Sequence, residues 1–252
     1  MLRILQVTDL HLPANPTQDI RSQRIDARWQ QVLRAVKKHE SDVDLLVLTG
    51  DLTHHSGALA YQRLVADLET LSIPAVWLPG NHDDIALMHE YGTTTLNQDC
   101  VELQGWKLLF LNSTLMPDGK GSGSLGPRAL QQLDYQLTGQ THTLVFLHHH
   151  PVSVNSRWQD EIGLADANAF WQCLAGHSNV RAIVFGHVHQ QLELQNKGVA
   201  LFSAPAVAPQ FKAGCDEMTE EDAPALSGPA YAIYTLSDQG GVSARVYRLS
   251  EG

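Results

Sequence analysis

Five short polar clusters, each placed directly after an apolar run, constrain this chain more than any other feature. They are Asp9-Leu10-His11, Gly50-Asp51, Gly80-Asn81-His82-Asp83, His148-His149-His150-Pro151 and Gly186-His187-Val188-His189. The runs before them, Ile4 to Val7, Leu45 to Leu48, Val76 to Leu78, Val145 to Leu147 and Ile183 to Phe185, are short and almost wholly apolar. Such runs read as buried strands. In an α/β sheet, ligands gather beyond the carboxyl ends of strands, so five strand ends far apart in sequence can converge on one site. Gly50, Gly80 and Gly186 permit the tight turns and close backbone approach this requires.

Helix-like segments alternate with these strands. Ser22 to His39 repeats apolar positions at Ile25, Trp29, Val32, Leu33 and Val36, and Ala58 to Leu71 at Leu64, Val65, Leu68 and Leu71. Val101 to Leu103 and Trp106 to Asn112, separated at Gly105, form an antiparallel pair. Pro127 to Leu137 follows a Gly- and Ser-rich loop as a short helix, with Pro127 suited to its first turn. Thr143 to Leu147 and Arg181 to Phe185 are strands flanking a helix around Ala167 to Leu174. Gln191 to Leu194, Val199 to Ser203, Tyr231 to Leu236 and Val242 to Leu249 are strand-like, and the polar, acidic segment 213–229 reads as a long loop. The expectation is one α/β domain over residues 1–252: two mixed β-sheets packed as a sandwich, flanked by helices.

Composition excludes several functions. A formal charge of −10 argues against a nucleic-acid surface, which would need Lys and Arg for phosphates. At 43% hydrophobic, the 252 residues can bury a substantial core. Cys100, Cys173 and Cys215 are odd in number and widely spaced, so no disulfide framework is expected. No stretch approaches the ~18 apolar residues of a spanning helix, and the N-terminal run lacks a signal-peptide pattern. A soluble, cytoplasmic protein with no membrane partner is the expectation, and the sequence sets no oligomeric state.

The clusters mix carboxylate, amide and imidazole, a set that suits Mn, Fe or Zn better than Ca. Two such ions can bind phosphoryl oxygens, lower the pKa of a bridging water and stabilise attacking and leaving oxygens together. They would also reverse the negative field that an acidic cleft presents to an anionic substrate.

In order, DxH, GD, GNHD, a later His and GHxH, the pattern resembles the calcineurin-like metallophosphoesterase superfamily, over residues 9 to 189. The resemblance implies that Asp9, His11 and His189 hold one metal, that Asp51 bridges, and that Asn81, His148 and His187 complete a second. It implies a catalytic or phosphate-binding role for His82, with Asp83 orienting it. His11, Asp51, Asn81, His82 and His189 would also meet the substrate. In the fourth cluster His148 is preferred as ligand, being the first histidine after the strand, with His149 as its rival.

Within the superfamily the chain resembles the class III cyclic-nucleotide phosphodiesterases. Ile4 to Asp9, Trp77 to Asp83, the triple histidine, Gly186 to Gln190 and Gln210-Phe211-Lys212 carry that likeness. It implies hydrolysis of 3′,5′-cyclic AMP, a small-molecule cyclic nucleotide, to 5′-AMP. Alternatives are another phosphodiester or pyrophosphate, such as a glycerophosphodiester or nucleotide-sugar, and a non-catalytic metal-binding scaffold. His54 and His55 read as solvated loop histidines, although they could line the cleft. Trp29, Trp77, Trp106 and Trp171 fit the core, whereas Trp158 is the aromatic placed to touch a nucleobase.

Overall fold

The computed structural model describes residues 1–55, 57–116 and 118–250. Along the chain run β1 (Leu2–Val7), α1 (Ile25–His39), β2 (Leu45–Thr49), α2 (Ala58–Glu69), β3 (Ala75–Leu78), α3 (Ile85–Tyr91), β4 (Cys100–Leu103), β5 (Trp106–Phe110) and α4 (Gly126–Gln136). They are followed by β6 (His142–Phe146), α5 (Arg157–Asp160), α6 (Ala167–Leu174), β7 (Val180–Phe185), β8 (Leu192–Asn196), β9 (Val199–Ser203), α7 (Pro224–Ser227), β10 (Ala230–Leu236) and β11 (Val242–Arg248).

The strands form two mixed sheets, ordered β11-β10-β1-β2-β3 and β4-β5-β6-β7-β9-β8. The apolar runs that precede the polar clusters lie in the parallel parts, where Ile4 pairs with Leu45, Leu46 with Ala75 and Val145 with Ile183. A parallel strand is covered on both faces, which is why these runs are continuously apolar rather than alternating. Alternate residues then face different layers. Leu2, Ile4, Leu45, Val47, Val76 and Leu78 meet Leu108, Phe110, Leu144, Phe146 and Val184 between the sheets. Leu5, Val7, Leu46, Leu48 and Trp77 pack outward with Trp29, Val32, Tyr61 and Leu64 of α1 and α2. On the far side, Leu109, Val145 and Ile183 pack with Leu133 of α4 and Phe170 and Trp171 of α6. The sandwich flanked by helices is therefore the observed architecture. Among the described residues no helix is long and apolar enough to cross a membrane.

Three local expectations need correction. The helix expected from Ser22 begins at Ile25, because Arg21 and Ser22 hold left-handed φ of 51° and 60° and Ile20 bridges Gln23. The helix Ile85–Tyr91 was not anticipated; Asp84 caps it by accepting the Leu87 N–H, 3.1 Å. Segment 213–229 is mostly loop, but contains the one-turn α7 and a bridge from Phe211 to Glu220.

Candidate metal centre

The sheets are joined at the ends of β1, β2, β6 and β7 by polar contacts. The His187 N–H donates to the Asp9 carboxylate (3.0 Å to Oδ2), and His148 Nδ1 donates to the carbonyl of Thr49 at 2.7 Å. Beneath them Gln6, fully buried, donates to Thr49 Oγ1 and to the Phe185 carbonyl and accepts from the Tyr234 hydroxyl, at 2.7, 2.9 and 2.6 Å. Asp9 N and His11 N donate to the carbonyls of Gly50 and Asp51, so the first two clusters run side by side.

Asp9, His11, Asp51, His187 and His189 all have positive φ, between 49° and 70°. Few non-glycine residues adopt this region, and each instance costs about 1–3 kcal/mol, held in place by the surrounding structure. Here it turns each side chain out of its strand direction and toward a common point. The glycines allow the turns to nest: a Cβ on Gly80 would lie 2.2 Å from Asp51 Oδ1, and one on Gly186 2.2 Å from Thr8 Oγ1.

At that point ligand-type atoms gather. His148 gives its Nδ1–H to Thr49 and His187 its Nε2–H to the Ile162 carbonyl (3.0 Å), so His148 Nε2 and His187 Nδ1 face the centre, 3.2 Å apart. His189 gives its Nδ1–H to the Pro209 carbonyl at 2.7 Å, and its Nε2 lies 3.3 Å from both Asp9 Oδ1 and His11 Nε2. Asp51 Oδ2 lies between the two groups, 3.5 Å from His11 Nε2 and 3.4 Å from His148 Nε2. Asn81 Oδ1 is buried and has no hydrogen-bond donor among the described residues. Imidazole nitrogens, carboxylate oxygens and an amide oxygen gathered at one point are a donor set that fits metal cations.

The electrostatics agree. Burial resists ionisation of Asp9 and Asp51, but His189 for the first and His148 for the second hold both carboxyls below the ordinary carboxylate range. Burial likewise resists a charge on His148, yet Asp51 and Asp9 outweigh it and raise that imidazole to about 9. The field therefore demands a cation here, and a divalent ion would meet the same demand as a proton. Burial brings His11 down to about 3 and His82 to about 4, against the opposing pull of Asp51. Both are neutral imidazoles at pH 7.

Each expected residue can now be placed. Asp9, His11, Asp51, Asn81, His148, His187 and His189 converge; among the described residues, Asp9–His11–His189 and Asp9–Asp51–His148 each bring ligand atoms within 4.8 Å. His149 reaches the same neighbourhood, within 4.8 Å of His148 and His187, but both of its nitrogens are engaged. Its Nε2 donates to the Gly121 carbonyl at 3.1 Å and its Nδ1 accepts from Ser113 Oγ at 2.8 Å. Asp83 does not serve His82 as expected. Its carboxylate instead accepts from the N–H groups of Leu52, Thr53 and Gly80 and from the Tyr61 hydroxyl, at 2.9 to 3.1 Å. Burial, then the charge of Asp51, pushes it up to about 7 against the pull of those donors. It positions two ligand turns.

His54 is also a correction, being half-buried rather than solvated. Its Nδ1 lies 3.3 Å from His11 Nδ1, and its ring stacks on His82 with centroids 5.1 Å apart. Its place three residues after Asp51 was the available signal. Lys120 and Gly121, missed altogether, come from the glycine-rich loop that His149 ties down. A cavity of about 190 Å³ lies over His11, Asp51, Asn81, His82, His187 and His189. A groove of about 920 Å³ adjoins it past His55, Asp84 and Asp118.

Comparison with known proteins agrees with this geometry. The calcineurin-like phosphoesterase family model matches residues 2–191. Over its whole length the chain is 33% identical to the 3′,5′-cyclic adenosine monophosphate phosphodiesterase CpdA of Vibrio vulnificus, covering 91% of that protein. It is 32% identical to the Escherichia coli protein of the same name, over 99% of this chain and 90% of the relative. A dimetal phosphatase from Danio rerio shares the fold, with a TM-score of 0.66 at 16% identity over 94% of this chain and 93% of that one. Matched in sequence across most of its length and in architecture throughout, the chain belongs to the calcineurin-like phosphoesterase family.

Proposed function

We propose that the chain is a metal-dependent phosphodiesterase that hydrolyses 3′,5′-cyclic AMP to 5′-AMP. The observation that carries the reading is the convergence of His11 Nε2 and His148 Nε2 on Asp51 Oδ2, 3.5 and 3.4 Å away, with His187 Nδ1 3.2 Å from His148 Nε2, a donor set that suits metal cations. The cyclic nucleotide is supported by the full-length likeness to proteins that bear that name.

In this reading Asp9, His11 and His189 hold one ion, Asn81, His148 and His187 the other, and Asp51 is shared. Fe or Mn suits the mixed donors best, and Zn is compatible. Such ions, when bound, supply Lewis-acid polarisation of the phosphoryl oxygens and stabilise the displaced oxygen. The protein does the rest. Carbonyls of Thr49, Ile162 and Pro209 accept from one nitrogen of His148, His187 and His189, so the other nitrogen of each ring is turned to the centre, where it would bind an ion. The His82 N–H donates to Asp51 Oδ1 at 2.9 Å, which fixes the turn and leaves the imidazole over the cavity. Being neutral, that ring donates a hydrogen bond through one nitrogen to the leaving 3′ oxygen as charge develops there.

Metal content and cyclic AMP turnover, measured on one purified sample, test the reading. Transition metal near two ions per chain and 5′-AMP as product are expected. Asp51→Ala and Asn81→Ala should abolish turnover while far-UV circular dichroism is retained. Near-normal activity in either folded variant would overturn the site. Equal rates on glycerophosphodiesters or nucleotide diphosphate esters would overturn the dedicated cyclic AMP role.

A further inference from the structure

The proposed reaction places a phosphate at the metal centre and leaves the rest of a nucleotide to be accommodated. Two spaces are available. The large groove carries Asp84 and Asp118 in its wall. The smaller cavity rises directly from His11, Asp51, His187 and His189 to a wall of Ile20, Arg21, Trp158, Ile162, Phe211 and Met218. A neutral, flat, largely apolar ring is matched by the second wall and not by the first.

We infer that this wall is a nucleobase subsite in which Trp158 is the stacking residue, an inference that rests on the nucleotide reading above. Phe211 packs on His189 nearly face to face, with centroids 4.5 Å apart and planes 29° apart. Trp158 meets Phe211 at right angles, 88°, with centroids at 5.1 Å. The indole is thus held at a set distance and angle from a residue of the metal centre. Trp158 lines the cavity beside Phe211 and is only half-buried, so part of the indole is open to a ring laid against it.

The outer side of the wall is braced by strain. Arg21 and Ser22 adopt left-handed φ without being glycine, at a tight turn closed by the Ile20–Gln23 bridge. That turn aims the Arg21 guanidinium at Phe211 (5.5 Å to the centroid) and ties it to Glu220 Oε1 at 3.3 Å and Met218 Sδ at 2.8 Å. Segments about 200 residues apart in sequence therefore close one side of the cavity.

The test uses the intact metal-loaded protein and calorimetric binding of 5′-AMP and ribose 5-phosphate, two phosphomonoesters that differ by the base. Base–aromatic stacking predicts that the wild type binds 5′-AMP about tenfold more tightly or better. Trp158→Ala should bring the ratio of the two affinities close to one, whereas Trp158→Phe should keep most of it. A wild-type ratio near one, or an unchanged ratio in Trp158→Ala, overturns the inference. Should the alanine variant fail to fold by circular dichroism, Trp158→Leu keeps an apolar contact with Phe211 and is read in the same way. Cyclic AMP turnover without a preference for 5′-AMP defeats the subsite alone. A preference for 5′-AMP without cyclic AMP turnover defeats the substrate and supports the subsite.

Discussion

At the residue scale, the centre depends on side chains that leave their strands at unusual angles. The left-handed backbone at Asp9, His11, Asp51, His187 and His189 gives that departure, and glycines provide the room for it. Gly80 has little tolerance, since an added Cβ would press on both the carboxylate and the backbone N of Asp51. We predict that Gly80→Ala lowers turnover by about 100-fold, the scale expected when a reacting group shifts by about 1 Å. Steady-state kinetics on a sample with unchanged circular dichroism would check this, and activity within twofold of wild type would refute it. Residue types at this scale were legible in sequence, because carboxylate, amide and imidazole after apolar runs announce ligands. Roles were less so. Adjacency suggested that Asp83 serves His82, but its carboxylate has four donors of its own from Leu52, Thr53, Gly80 and Tyr61. Only the Gly80 contact is local; Leu52, Thr53 and Tyr61 are 22 to 31 positions away.

At the element scale, the segment between β9 and β10 is the main support of the centre. Val207 N and Ala208 N donate to the carbonyls of Thr8 and Asp9, and the Pro209 carbonyl orients His189. Gln210, buried, holds this segment together through the carbonyls of Ala206, Ala208 and Gly228. From α1, Arg28 reaches across to the carbonyls of Val207, Ala208 and Ser227 at 2.7, 3.2 and 2.7 Å. Arg28→Met keeps the length and apolar stem but removes these donors. It should cost about 3 kcal/mol, because three carbonyls lose a charged donor in a buried setting. Urea unfolding would measure the loss, and a change below 1 kcal/mol would show that the segment holds itself. The helical period of α1 was legible from Ile25 onward; its start was not, since Arg21 and Ser22 take left-handed φ in a turn whose Arg21 is held by Met218 and Glu220.

At the scale of the whole molecule, the two sheets share one apolar layer and buried polar links through Gln6, Asp9 and His148. Each sheet would expose that layer if the other came away. We therefore propose that the chain unfolds as one cooperative domain. Tryptophan fluorescence and far-UV circular dichroism should give coincident urea transitions; two separated midpoints would contradict it. Ligands that bind the folded centre must also stabilise it. Chelation should lower Tm by roughly 5 °C or more, and added Mn should restore it. Asp51→Ala should show neither response, and an equal response in that variant would place the metal elsewhere.

The sequence by itself determined which strands end in candidate ligand residues and what chemistry those residue types suit. Strand burial follows from local apolar runs, and ligand identity from residue type, so both can be read without coordinates. Tertiary structure decided which way each ligand points. His148 and His149 are neighbours of the same type, yet Thr49 orients one toward Asp51 while Ser113 and Gly121 engage the other. It also decided what surrounds the centre, bringing together Arg21, Trp158, Phe211 and Met218 from segments with no local relation. The physical reason is common to both: a lone pair's direction and a cavity's wall are set by hydrogen bonds and packing between strands remote in sequence.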